Sequence, residues 1–92
     1  MIHRLKTFPQ YYQPIIEGRK PFEIRRNDRN FQTNDNVILN EWNGEEYTGR
    51  FCVSIIKDIF DISFLLPDYV AFTFKLLGEY EEINDEKEEA TD

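Results

Sequence analysis

Ninety-two residues with 40% hydrophobic side chains and one cysteine make a single domain with one modest core and no intramolecular disulfide. No apolar run approaches the ~18 residues of a membrane-spanning helix, and Met1-Ile2-His3-Arg4 lacks the apolar stretch of a signal peptide, so a cytoplasmic location is expected. A net charge of −7 would argue against a nucleic-acid partner, but residues 79–92 hold eight acids against one base, residues 1–78 balance, and residues 1–29 carry seven bases against three acids.

Residues 2–7 read as a short strand. Phe8, Tyr11, Tyr12, Ile15 and Ile16 follow the spacing of an apolar helical stripe, and Tyr11 and Tyr12 on it are expected in the core. Thr7 and Gln10 have the spacing of a capping box, and Gly18 is placed to stop the helix. Pro14 inside a helix would cost about 3 kcal/mol, so a first turn at 9–12 is expected to lead into a helix with Pro14 at or near its start. Residues 20–26 form a strand in which Phe22 and Ile24 share one face, offered to the core, and Glu23 and Arg25 share the other. Alternation puts Lys20 on the Phe22 face, so it joins Glu23 and Arg25 only by reaching in from the turn.

Asn27 to Asn30 form a polar loop and Asn34 to Asn36 a turn. Residues 37–42 read as a strand, Asn43-Gly44 as a hairpin signal, and the alternation of Phe51, Val53 and Ile55 with Cys52, Ser54 and Ile56 as a long strand to about residue 57. Residues 58–68 are expected to be irregular or briefly helical. Residues 69–77 form a last strand with Val70, Phe72, Phe74 and Leu76 on one face. The acidic segment 79–92 is expected to be disordered, and a chain ending at Gly78 to keep its melting temperature. Five strands around one helix point to a small α+β barrel with one or two short helices.

The run Gly18-Arg19-Lys20-Pro21-Phe22-Glu23-Ile24-Arg25 resembles the GxKxxExR motif of ASCH domains, a branch of the PUA-like superfamily. Phe31-Gln32-Thr33-Asn34-Asp35 is similar to a segment that usually reads F-x-x-G-D. His3-Arg4-Leu5-Lys6, the strand at 37–42, Tyr47-Thr48-Gly49-Arg50 and Tyr69-Val70-Ala71-Phe72 also fit. The closest likeness is to a small ASCH-like family of Gram-positive bacteria and their phages. The resemblance implies a mixed β-barrel over residues 1–78, with a cleft between barrel and helix for RNA or a nucleotide-like ligand. The candidate ligand-binding residues are Lys6, Lys20, Glu23, Arg25, Asn27, Asp28, Arg29, Tyr47 and Arg50. Arg25 and Lys20 would hold phosphate or a base edge, and Glu23 would orient Arg25 or accept from an exocyclic amine. Asp28 presents an acceptor to ligand or merely caps its turn. Trp42 offers a ring for stacking on a base, a contact worth about 1–3 kcal/mol, but core or hairpin packing is the favoured reading.

Two other functions stay open. One ASCH branch hydrolyses the amide of an acetylated cytosine nucleoside with the motif lysine, a threonine three residues on and a distant glutamate. Here Lys20 and Glu23 would be the catalytic candidates, with Glu23 in the threonine's place. Alternatively, the acidic segment makes the chain a protein-interaction module. One histidine and one cysteine are too few for a zinc site or a Cys–His nucleophile. No metal, cofactor or membrane partner is expected, and the protein is expected to be a monomer.

Overall fold

The computed structural model describes residues 1–82. Its elements in chain order are β1 (Ile2–Thr7), α1 (Pro9–Ile16), β2 (Phe22–Arg26), β3 (Asn36–Trp42), β4 (Tyr47–Asp61) and β5 (Tyr69–Glu81). The five strands form one sheet in the order β1-β3-β4-β5-β2. β1 and β3 are parallel, and the other neighbours are antiparallel.

The expected α+β barrel with one or two helices is therefore corrected. The described chain is mostly β, 56% strand with one short helix, and its sheet is a curled half-barrel. β1 and β2 end the strand order on opposite sides, so an open seam separates them. Much of the extra strand content comes from β4 and β5, which run 15 and 13 residues. Their ladder breaks register at Val53/Ser54 and at Ile56/Asp58. Such bulges bend and twist a long ribbon, which curls this sheet, and they interrupt the period-two pattern. The connection expected over 58–68 shrinks to residues 62–68, an ordered turn in which Leu65 N and Leu66 N both donate to Ile62 O at 2.9 Å.

The hollow of the sheet holds the core. Leu5, Val37, Leu39, Cys52, Ile56, Val70, Phe72 and Phe74 point into it, and α1 closes it with Tyr12 and Ile15, each 1% exposed. Burying a side chain of this size contributes roughly 1.5–3 kcal/mol. That burial explains why α1 starts at Pro9 and carries Pro14 inside it, against the expected start near Pro14. The first turn is held by Tyr12 N on Phe8 O at 2.8 Å, and no side chain among the described residues caps it, so the Thr7–Gln10 capping box does not form. Gly18, at φ +80°, ends the helix as expected, with Arg19 N reaching back to Pro14 O at 2.9 Å. Tyr11, expected in the core with Tyr12, is about half exposed, as is Phe8.

Phe31 packs between His3 and Phe72, at centroid distances of 4.7 and 5.1 Å. Asn34 takes φ +74° where the resembling motif has glycine, a left-handed conformation that asparagine tolerates. The turn thereby seats Asp35, which accepts from His3 Nε2 at 2.8 Å, Gln32 N at 3.1 Å and the Met1 amino group at 3.2 Å. The His3 bond first, with the Gln32 and Met1 donors, holds the Asp35 carboxyl below its ordinary value of 3.8. A depressed folded value means that this stabilisation is complete above the ordinary value and disappears as pH falls through the lower, folded one. Acid titration of stability is expected to show a smaller loss below about pH 4 in Asp35→Asn than in the wild type. An unchanged acid limb in that variant would remove Asp35 as a source of acid sensitivity.

β5 continues past Gly78, beyond the register shift opposite Val53 and Ser54, to Glu81. Glu79, Tyr80 and Glu81 pair with Cys52, Phe51 and Arg50, and the Tyr80 ring stacks on Phe51 at 5.3 Å. The folded unit thus extends past the expected boundary at residue 78. The rest of the expected tail, residues 83–92, lies outside the described residues.

Candidate ligand-binding cleft

A cleft of about 500 Å³ opens between the end of β1, the first turns of α1 and strand β2. Its charged floor comes from the motif, but with β2 facing opposite to expectation. Glu23 is 4% exposed, while Phe22 and Ile24 are 41% and 47% exposed. Register explains the inversion. Glu23 pairs with Phe72 and Arg25 with Val70, both residues of the hollow, so the two charged side chains turn inward and the apolar pair outward.

A buried carboxylate needs compensation, and Glu23 has two cations. Lys20 Nζ donates to Glu23 Oε1 at 2.6 Å and to Phe22 O at 2.9 Å. Arg25 Nε donates to Glu23 Oε2 at 2.7 Å, and its Nη2 donates to Lys6 O on β1 at 2.9 Å. Lys20 thus reaches in from the turn preceding β2. Arg25 does a second job, clasping β2 to β1 across the open seam. Arg29 makes a second clasp, from Nη1 to Arg4 O at 3.1 Å. The fork of Arg25 is therefore largely engaged by the protein. Its Nη1 and the third Lys20 proton have no hydrogen-bond acceptor among the described residues.

The other expected site residues are dispersed. Lys6 contributes its main chain to the cleft, but its ammonium lies on the outer face of the sheet, 4.0 Å from the Trp42 ring centroid. Tyr47 packs edge-on against Trp42 at 4.9 Å, so both serve the hairpin. That hairpin turns at residues 43–46, where Asn43 Oδ1 accepts from Glu45 N and Glu46 N. Arg50 joins a separate cluster. It pairs with Glu41 at 3.1 Å, donates to Gln13 at 2.9 Å and lies 4.9 Å from the Tyr12 ring centroid, while Thr48 donates to Glu41 at 2.7 Å. Asn27 is structural, accepting from Phe31 N and donating through its own N to Asp68 O. Asp28 lines a neighbouring cleft of about 590 Å³.

The structure therefore unites Lys20, Glu23, Arg25 and the Lys6 main chain, and leaves Asn27, Asp28, Arg29, Tyr47 and Arg50 outside this cleft. It adds residues that the sequence reading missed. Phe8, Tyr11, Phe22 and Tyr69 supply rings, Arg26 supplies a cation, and Thr7 supplies a buried hydroxyl with no hydrogen-bond partner among the described residues. The ring signal was present in the i, i+3 pair Phe8 and Tyr11, which sits on the flank of the helical stripe centred on Tyr12 and Ile15.

Burial pushes the Cys52 thiol up to about 12, with Glu79 and Glu23 adding to the effect. Burial also raises the Tyr12 hydroxyl well above its ordinary value, and Cys52 adds to that shift. Both groups stay protonated near neutrality, which makes neither a ready nucleophile. Among the described residues, no three His, Cys, Asp or Glu side chains are grouped to hold a metal ion. No described helix is long and apolar enough to cross a membrane.

The fold and site define a small half-barrel domain whose seam is clasped by arginines and whose helix roofs an ion-floored, ring-walled cleft. Residues 2–74 match the model of a family described as a domain of unknown function, DUF3850, and the chain belongs to that family. It is also 40% identical over 78 residues to an uncharacterised 12.9 kDa protein in the GpA 3′ region of Escherichia phage P2, a match covering 85% of this chain and 71% of that protein.

Proposed function

We propose that the cleft between α1 and β2 binds a nucleotide or a nucleotide-containing stretch of RNA, in the manner of the ASCH-type, PUA-like domains that the sequence resembles, and that it does so in the cytoplasm. The observation that carries this reading is the Lys20–Glu23–Arg25 triad on the floor of a cleft walled by Phe8, Tyr11 and Phe22. A volume of about 500 Å³ suits one nucleoside-sized ligand. Base stacking on such rings is worth about 1–3 kcal/mol and tolerates any base. The uncommitted N–H groups of Lys20 and Arg25 are donors for phosphate or a carbonyl edge. Glu23 has both oxygens on cations, so it positions those donors. That favours holding a ligand over moving protons, and places amide hydrolysis behind binding.

Titration with nucleosides and short RNAs, followed by NMR, is expected to shift the amides of Tyr11, Lys20, Glu23 and Arg25 first. Tyr11→Ala should weaken binding about fivefold or more, the loss of a stacking contact worth about 1 kcal/mol. Shifts confined to the Arg50–Glu41 cluster, or none with any nucleoside or RNA, would overturn the reading.

A further inference from the structure

The ligand cleft has a neighbour. The cleft of about 590 Å³ at the far end of β2 shares two lining residues with it, Arg26 and Tyr69. These are cross-strand partners on β2 and β5, and the guanidinium lies 5.9 Å from the Tyr69 ring centroid. The pair is thus a common ridge, held in place by the ladder. The side chains of Lys20, Arg25 and Arg29 are bound to protein acceptors, whereas the Arg26 guanidinium has no hydrogen bond or ion pair among the described residues. An exposed arginine on a ridge between two hollows can meet an anion approaching from solvent.

The hollows differ in chemistry. The first has ring walls. The second presents the carboxylates of Asp28, Asp61 and Asp68, which repel phosphate and accept from the N–H edge of a base or the hydroxyls of a sugar, beside the Ser63 hydroxyl. A ligand that places a phosphate on the ridge can therefore put one base or sugar on each side.

We infer that the two clefts form one bipartite site for single-stranded nucleic acid, with Arg26 holding the phosphate that links two successive nucleotides. The inference rests on the nucleotide reading of the first cleft and extends it from one unit to two. Bases paired in a duplex could not enter the hollows, so the ligand is single-stranded.

The test compares each of the four ribonucleosides with its own 3′,5′-dinucleoside monophosphate, by calorimetry or NMR titration, on the full chain. For the base that binds best, the dinucleoside monophosphate is expected to bind at least tenfold more tightly. The gain should weaken with salt at a slope of about 0.7 for its single phosphate. Arg26→Ala should bring the ratio of the two affinities close to one, and Arg26→Lys should keep part of it. If nucleosides bind and the ratio stays below about twofold, or survives intact in Arg26→Ala, the bipartite site is wrong and the single-cleft reading stands. If neither nucleosides nor dinucleoside monophosphates bind, the nucleotide reading fails and the bipartite site with it.

Discussion

Glu23→Ala is expected to destabilise the domain by about 3 kcal/mol, the lower part of the range for breaking a buried ion pair. The lower part applies because Lys20 and Arg25 are 21% and 27% exposed, so water relieves some of the charge left behind. At roughly 4–8 °C per kcal/mol for a domain of this size, melting should fall by about 10 °C or more. Lys20→Ala should cost less, because Arg25 would still hold the carboxylate. Arg25→Lys should lose stability as well as ligand affinity, since lysine cannot bond both Glu23 and the Lys6 carbonyl with a rigid fork. Affinity losses in that variant must therefore be measured well below its melting temperature. A Glu23→Ala domain melting within 2 °C of the wild type would mean that the triad is worth no more than a surface pair.

The motif strand illustrates how far sequence alone reaches. Alternation grouped Glu23 with Arg25 and Phe22 with Ile24, and both groupings hold. Which group faces inward is decided by β5, about fifty residues later in the chain, through the pairing of Glu23 with Phe72. Hydrophobicity chose the wrong pair because the two cations that make Glu23 burial tolerable come from a turn and from Arg25 itself. Pro14 failed for a related reason. A local penalty was outweighed by the burial of Tyr12 and Ile15 against the hollow, which no local rule contains. Signals with a local mechanism survived, including Gly18 as the helix stop, the Asn43-Gly44 turn and the shared face of Val70, Phe72, Phe74 and Leu76, of which the first three are buried and Leu76 is partly buried against the core. The cleft was half legible: its charges form a sequence motif, whereas its rings come from the flank of α1, the outward face of β2 and the start of β5, which only the fold assembles.

Ending the chain at Gly78 is expected to lower stability by about 2–4 kcal/mol, contrary to what the acidic composition of residues 79–92 implies. Three physical losses combine. The first is the ladder of Glu79, Tyr80 and Glu81 on Cys52, Phe51 and Arg50, at about 1 kcal/mol net for each hydrogen bond. The second is the Phe51–Tyr80 stack, a pair worth roughly 0.5–1.5 kcal/mol beyond its buried area. The third is the bond from Glu82 N to Gly49 O at 2.9 Å, which ties the strand end to the start of β4. Local sequence hides all of this because Gly78 reads as a terminator and the acids after it read as solvated chain. Gly78 is instead the residue over which Tyr80 folds. A Cβ there would sit 2.6 Å from the tyrosine hydroxyl, so Gly78→Ala must displace the ring. A chain ending at Glu82 keeps the ladder, the stack and the Gly49 bond, so it is the matched control. Urea melts of the two truncations should differ in midpoint, with the shorter chain weaker by at least 1 kcal/mol. If both melt together, the end of β5 adds nothing to the fold, and the boundary expected at residue 78 is restored.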